Sequence, residues 1–560
     1  MTKFLKVPLT FFQGIVDCIN KNDKLALLVI FVYTICYKLY FITDGISVLD
    51  SAFYLSYSID LDSAMNYSSL KTSPFYLTAL VGNLFLKMFS AKLLGLRILQ
   101  ILNYLFLFYC VFRLLRNKIP NICIVGGTLM SLMVLCSRPI EFYYDDLSAS
   151  LCVLSILLMV KAVEKANKSY IFFSGIVFAL NIFARMPNVV YLAFTAYLFF
   201  SYKKKRIDVF KFLLFGVCGF SLGIIFFLLI IYLRGDLLNF YNGVCGIVKL
   251  SQSAEDSHNT FSMFSEYVKQ FTGSCFLLLK YFVLFLFLYC FYSSKYKWGF
   301  FLIGLLFTLK TFHTFLAVPN IIPCYFIMWN SLSLLVVVFM SDKYRTLALL
   351  LLIAQFVIPL GSDGYFYVSI GYIFSSVVAS LAFYAVVLVN KTNVAFKTTF
   401  LSCSFIIVAG IVVRAFSSYN KAFTERSPRS ELKYDVSDCN ALKGVYTDSV
   451  KAAEFLYYIE NVKPLLNEST LLIGNNCDLM LAVSMEKVLY NNSPKNWGTN
   501  RTVYNSIIST YEKTKEKPDV LLRKSDMQDK DCPEIKFMKE VGGYSKKWEN
   551  EKYTMFSPVN

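Results

Sequence analysis

Charged residues are scarce in this 560-residue chain: 16% of it is Asp, Glu, Lys or Arg, against about a quarter in soluble globular domains. That shortage, with 56% hydrophobic residues and a mean hydropathy of +0.54, argues against an ordinary soluble fold and for a multi-pass membrane protein. Histidine is nearly absent, and the two present, His258 and His313, stand far apart. The 15 cysteines include no CxxC pair, which argues against a zinc or thiol-redox site. Strand-like alternation is missing from the apolar runs, so helices are expected and not a barrel. There is no internal repeat. No short apolar core with a small-residue cleavage site follows Lys3 and Lys6, so the first helix is expected to stay uncleaved.

What charge there is has a pattern. The net charge is +18, yet the tail from Ser417 carries 21 basic and 20 acidic residues. The excess therefore sits in the membrane part, 34 basic against 17 acidic residues. It reads as a topology signal and not as nucleic-acid binding. Basic clusters at Arg113–Lys118, Lys161–Lys168, Lys203–Lys211, Lys295–Lys297, Lys343–Arg345 and Lys391–Lys397 are expected on the cytoplasmic side, each separated from the next by two apolar runs.

Parity then demotes one segment. Phe75–Phe89 begins beside a proline, is short and contains Lys87, so it reads as an interfacial helix on the outer surface. The expected spans are 25–43, 93–112, 121–137, 147–161, 170–185, 188–202, 210–233, 275–293, 298–312, 320–340, 345–360, 366–389 and 398–416, about thirteen by the usual length rule. The fold class expected is an all-α polytopic membrane bundle, residues 1–416, with an outer loop at 43–92, and an extracytoplasmic α/β domain at 417–560. Odd parity puts the N-terminus inside and the tail outside. In the tail, Thr470–Gly474 and Pro518–Leu522 read as strands, Ser449–Ile459 and Val503–Thr510 as helices. Its three cysteines, Cys439, Cys477 and Cys532, allow one bridge, and the sequence does not choose the pair.

Under this topology four features face outward. The first is Thr43–Tyr76, with Asp44, Asp50, Asp60, Asp62 and Lys71. Acids gathered beside a membrane helix mark a site more often than a solvated loop. The second is Arg138-Pro-Ile-Glu-Phe-Tyr-Tyr-Asp145-Asp146, where an N-cap would use one acid and two are present. The third is Arg185-Met-Pro187-Asn188. Its arginine either snorkels to headgroups or forks onto a lipid-borne phosphate. The fourth is Lys310-Thr-Phe-His313. Carboxylates beside cations suit a sugar leaving from a polyprenyl phosphate: the phosphate needs positive charge and the acceptor hydroxyl needs a base.

These residues resemble the motifs of the GT-C superfamily of polyprenyl-phosphate-sugar-dependent glycosyltransferases, above all the protein O-mannosyltransferases and the aminoarabinose transferases of lipid A. Asp50-Ser-Ala-Phe-Tyr54 is similar to the family's DE-x-x-Y pattern, with Ser51 where a second acid is common. Lys71-Thr-Ser-Pro74-Phe-Tyr76 resembles K-P-P-L-Y with a single proline, and Ser90-Ala-Lys-Leu-Leu-Gly95-Leu-Arg97 loosely resembles the family's G-x-x-x-x-x-R segment. Asp145-Asp146-Leu147 and Gly175 to Asn188 stand where the family has its second acid and a later basic residue. The likeness covers about the first 200 residues and is architectural beyond them.

What the resemblance implies is a membrane glycosyltransferase acting on the outer face of the cell membrane with inversion. Its donor is a polyprenyl-phosphate-linked monosaccharide and its acceptor a lipid, glycan or protein. Asp50 is then the base, with Asp145 or Asp146 orienting the acceptor or a cation. Arg185, Lys71, Arg138, Lys310 and His313 form the donor-phosphate set. Asp60-Leu-Asp62 has metal-type spacing but reads as solvated acids; a divalent cation is left open and no other cofactor is expected. Two alternatives stay open: a glycan ligase or polymerase using a diphosphate-linked oligosaccharide, and a non-catalytic lipid or sugar transporter.

Overall fold

The computed structural model describes residues 13–47, 50–134, 140–205, 208–252, 259–293, 306, 309–310, 322–357, 375–420, 422, 427–436, 438–474, 479–490 and 499–559. Arg138, His313, Cys477 and most of the span expected at 298–312 lie outside them.

The apolar runs become helices because their backbone groups have no water to bond and must pair within the segment. Among the described residues, four helices are long and apolar enough to cross a membrane: Lys92–Leu115, Tyr144–Lys165, Val209–Leu233 and Val394–Val413. Shorter apolar helices include Asn121–Val134, Lys168–Ala184, Arg345–Gln355 and Ser376–Lys391. The first two long helices are interior, with 67% and 72% of their apolar windows buried; in Val209–Leu233 the figure is 22% at the highest hydropathy of the four, 2.7. Such a surface, apolar and uncovered by protein, faces lipid. Val209–Leu233 packs on Lys168–Ala184 through small residues. A Cβ at Gly175 would stand 2.2 Å from the Gly216 carbonyl oxygen, and one at Gly219 2.0 Å from that of Phe172. Close backbone approach of this kind is how membrane helices pack without a hydrophobic driving force.

Three segments differ from their sequence reading. Arg234–Gly273 was expected as a loop; Leu237–Gln252 is a helix, and Thr260–Ser293 runs 34 residues, starting well before the expected span. The span expected at 188–202 is not one α-helix: Met186–Thr195, with Pro187 in its first turn, is a 3₁₀ stretch, and the α-helix begins at Ala196. Within Phe75–Phe89, the helix Tyr76–Leu86 has 11 residues, about 16 Å of rise. Protein covers most of it: Tyr76, Ala79, Gly82 and Asn83 are buried, Thr78 donates to the Ala184 carbonyl at 3.0 Å, and Leu84 is exposed.

In the tail a two-stranded ribbon, β1 (Tyr434–Asp435) with β2 (Tyr446–Thr447), precedes five strands, β3 (Thr470–Ile473), β4 (Val488–Leu489), β5 (Asp519–Arg523), β6 (Tyr544–Glu549) and β7 (Tyr553–Pro558), which form one sheet of order β4-β3-β5-β7-β6. β3 pairs with β4 and β5 in parallel, while β7 pairs antiparallel with β5 and β6. Ser449–Asn461 and Asn500–Thr514 are helices. Cys439 and Cys532 are buried free thiols.

The tail is welded to the first loop. Ile46, Ala52 and Leu55 share one core with Leu93, Leu96, Phe142 and the tail's Val436, Met480 and Val483. Main-chain bonds seal it: Leu93 N–H to Ala441 O at 2.9 Å, Tyr446 N–H to Thr43 O at 2.7 Å, and Gly45 N–H to Tyr446 O at 2.8 Å.

Candidate active site

The loop after the helix Asp23–Tyr40 is shaped by Arg97. Its guanidinium, 2% exposed, pairs with Glu141 at 2.7 Å and donates to the carbonyls of Ile42 (2.8 Å) and Gly45 (2.5 Å). A buried charge needs this degree of pairing. Arg97 thus ties the Thr43 turn to the segment before Tyr144, and its role is positional. Asp44 is held by Arg429 of the tail at 2.9 Å, with that guanidinium over the Phe41 ring.

From this turn the helix Asp50–Ile59 starts at the half-buried Asp50, whose N–H donates to Ser47 Oγ at 3.2 Å. One turn on, Tyr54 stacks on Tyr143 at 5.0 Å and meets Tyr144 edge-on at 5.9 Å. Phe75 stacks on the other ring of that pair, 4.1 Å from Tyr144. The Tyr54 hydroxyl is held well above its ordinary value, first by burial, then by Tyr144, Asp50, Tyr57 and Asp145. Tyr57 is raised by burial and by Asp145 and Asp146. Tyr54, on the helix that Asp50 opens, and Tyr144, next to Asp145, therefore belong to one aromatic cluster.

Asp145 and Asp146 open the helix Tyr144–Lys165 and diverge. Asp146 turns back: it accepts from the Tyr143 N–H at 3.3 Å and from Gln100 Nε2 at 2.9 Å, and Lys38 donates to Gln100 Oε1 at 2.9 Å. This is a cap with a cation behind it. Asp145 pairs with Arg185 at 3.4 Å, and the guanidinium lies 5.5 Å from the Tyr144 ring. Arg185, 4% exposed, ends the helix Lys168–Ala184 in extended backbone. Asn188 anchors the turn beyond it, donating to Ser148 Oγ (2.8 Å) and to Asn181 Oδ1 (2.9 Å).

Lys71 sits in the short helix Ser69–Thr72, 2% exposed, and its Nζ has no hydrogen-bond partner among the described residues. Burial pushes the amine well below its ordinary value. An anion brought to it restores the charged form, so the position is suited to a phosphate. Lys310, by contrast, is exposed on its helical segment.

The remaining loop acids have other duties. Asp60 caps the helix Leu61–Tyr67 through the Ser63 N–H at 3.1 Å. Asp62, 77% exposed at its side chain, pairs with Arg234, which also holds Asp236 at 3.2 Å. Tyr76 donates to Asp236 at 2.5 Å. Sequence reading passed over Lys38, Glu141, Arg234 and Asp236. An ionisable residue inside an apolar run was the available signal for Lys38; for the others no local pattern pointed to their partners. No group of three or more acid, His or Cys side chains that would hold a metal ion occurs among the described residues.

Residues 73–232 match the family model described as dolichyl-phosphate-mannose-protein mannosyltransferase. Arg97, Asp145, Asp146 and Arg185 fall within that stretch. No curated protein sequence matches the chain. Among solved structures, the apo oligosaccharyltransferase of Archaeoglobus fulgidus is similar with a TM-score of 0.50 at 11% identity, over 90% of this chain and 69% of that one. The same enzyme with zinc and sulfate gives 0.48 at 12%, over 95% and 73%. Apo ArnT from Cupriavidus metallidurans gives 0.45 at 12%, over 96% and 98%. At these identities the likeness is one of fold. With the family match, the chain resembles the GT-C glycosyltransferases, the resemblance carried by its motifs.

Proposed function

We propose that this chain is an integral-membrane glycosyltransferase that moves a monosaccharide from a polyprenyl-phosphate donor to a lipid, glycan or protein acceptor of the cell envelope. The reaction would take place at the end of the bundle that carries the tail, the outer face of the cell membrane. The observation that supports the reading best is the buried Asp145–Arg185 pair, 3.4 Å apart, beside the Tyr144 ring, which Tyr54 of the helix opened by Asp50 meets edge-on.

In this reading the acceptor O–H gives its proton to the Asp50 carboxylate as its oxygen bonds the anomeric carbon. The bond from that carbon to the phosphate oxygen breaks on the opposite face, and its electron pair stays on the phosphate, with inversion. Arg185 and Lys71 hold the developing charge. Asp145 fixes the guanidinium in place, and Asp146 fixes the helix start through Gln100 and Lys38.

The deciding experiment supplies purified protein with a labelled sugar on a synthetic polyprenyl phosphate and a cell-envelope extract as acceptor pool. A new glycosidic bond is the expected product. Transfer from a diphosphate-linked oligosaccharide instead would make the chain a ligase. Movement of lipid across proteoliposomes with no bond formed would make it a transporter. Sidedness has its own test, in a background without the native exposed cysteines: an impermeant thiol reagent added outside should label a cysteine at Ser509 and not one at Lys343. The reverse labelling would turn the molecule over.

A further inference from the structure

A groove of about 740 Å³ runs between the tail and the membrane part. The tail wall is the helix Asn500–Thr514, which presents Thr502, Asn505, Ser506, Ser509 and Thr510 to the groove. These positions form one face at helical spacing. Val503 and Ile507, on the other face, are buried in the sheet's core. A solvated helix face is ordinarily filled with Lys and Glu, which are better helix formers than Thr, Asn and Ser. Stability therefore does not account for this face. Contact with hydroxyl groups does, because each of these side chains both donates and accepts.

The opposite wall is the helix Leu237–Gln252 with the segment Tyr67–Leu70, and it continues the chemistry with Ser68, Ser69 and Asn242. Lys249 and Arg501 are the charged lining residues, both exposed, and no carboxylate lines the groove among the described residues. Leu70 is the one aliphatic side chain on the lining, so an acyl chain or an apolar peptide finds little to bury.

The inner edge adds an independent observation. The four-residue helix that gives Ser69 and Leu70 to the groove also carries Lys71, whose buried Nζ lacks a hydrogen-bond partner among the described residues. Ser73 beside it is 0% exposed and its Oγ is likewise unmatched. This edge is closed tightly by Gly243, where a Cβ would stand 2.3 Å from Ser73 Oγ and 2.4 Å from the Ser69 carbonyl oxygen. The groove thus runs along the outside of the segment assigned above to the donor phosphate.

We propose that the groove binds the acceptor, and that the acceptor is an anionic, polyhydroxylated glycan chain. This rests on the glycosyltransferase reading of the same site. Sugar hydroxyls pair with the Ser, Thr and Asn side chains, and Lys249 and Arg501 take the negative groups. The anion is either a sugar carboxylate or a phosphate ester; both suit these cations.

The test uses the full chain in detergent with three fluorescent probes: an oligogalacturonate, a phosphomannan oligosaccharide and a neutral galactan oligosaccharide. Saturable binding of an anionic probe is expected, with the neutral one at least tenfold weaker. Which anionic probe binds identifies the source of the charge. The double variant Lys249→Glu, Arg501→Glu should lose at least tenfold in affinity, and Asn505→Trp, which fills the groove, should abolish binding; all three residues are exposed. Equal binding of the neutral probe, unchanged binding in the double variant, or displacement by a Ser/Thr-rich peptide would overturn the proposal. The same titration on Asp50→Asn protein separates it from the catalytic reading. Binding that survives in an inactive protein supports the groove alone, whereas transfer without anionic-glycan binding supports the catalytic site and rejects the groove.

Discussion

The two ends of the helical bundle treat positive charge in opposite ways. At one end Arg113, Arg116, Lys118 and Lys161 are half-buried, and Lys165 and Lys343 are exposed. These clusters, far apart in sequence, meet in space: Tyr344, beside Lys343, donates its hydroxyl to the Lys118 carbonyl. Their principal ion pair, Lys118 to Glu164 at 2.7 Å, has 41% of the glutamate side chain open to solvent. At the other end Arg97, Lys71, Arg185 and Lys38 are 2%, 2%, 4% and 7% exposed. A solvated cation costs little and marks sidedness; a buried one costs several kcal/mol unless partners or a ligand offset it. The second end is therefore where structure and chemistry are to be sought, and within it the partners separate one from the other. Arg97 is tied to Glu141 and to loop carbonyls, which is structural. Arg185 sits against Asp145 and the Tyr144 ring, which Tyr54 meets from the helix that Asp50 opens.

Substitutions at both ends test that contrast, and the largest effect belongs to Asp50. Asp50→Asn keeps size and hydrogen bonding but takes no proton, so transfer should slow by about 10²–10⁴-fold, as expected for loss of a general base. The variant should be inserted, folded and able to bind donor. The solvated acid at Asp62 provides the control: Asp62→Asn should cost less than about threefold. Parent-rate transfer by Asp50→Asn would move the base to another carboxylate.

Arg97→Leu comes next, through stability. It strands the buried Glu141 and should cost roughly 3–5 kcal/mol, read as a lowered unfolding temperature in detergent. The fraction that remains folded should keep its donor KM. A raised KM with unchanged stability would make Arg97 a binding residue.

Arg185→Lys should act the other way. Charge is kept and the planar fork is lost, so donor KM should rise by about tenfold, the equivalent of about 1.4 kcal/mol, with the acceptor KM unmoved. An unchanged donor KM would leave Arg185 with packing alone. Lys165→Gln, exposed at the solvated end, should be the mildest: within about 0.5 kcal/mol in stability and no change in transfer. A clear loss of activity there would end the division of labour between the two ends.

Much of the helical plan was legible because a bilayer allows few solutions. An apolar run of spanning length must close its own hydrogen bonds, and Lys92–Leu115, Tyr144–Lys165 and Val209–Leu233 follow their runs closely. The tail's strands at Thr470 and Asp519 followed from short apolar runs set off by turn residues. Helices at Leu237 and Thr260 were not legible, since neither stretch is apolar enough throughout to stand out from a polar loop. The site was legible in part. Asp50, Lys71, Asp145 and Arg185 each announced themselves as ionisable groups at membrane boundaries, but Arg97 stood in a motif and proved to be a tie for the loop. Glu141 had no local mark, because its meaning lies in a partner 44 residues back; Asp236 has Arg234 two residues away, but nothing local pointed to Tyr76, 160 residues back.

Composition and spacing by themselves determined that this chain is a helical membrane protein with a mixed α/β tail, and which ionisable residues stand at the ends of its helices. Only the tertiary structure decided what each of those charges does. Asp145 and Asp146 are adjacent and chemically identical, yet one turns back to Gln100 and Tyr143 while the other meets Arg185. On a helix, neighbouring residues project about 100° apart. Where each points is local, but what waits there is set by packed helices and a tail drawn from distant parts of the chain.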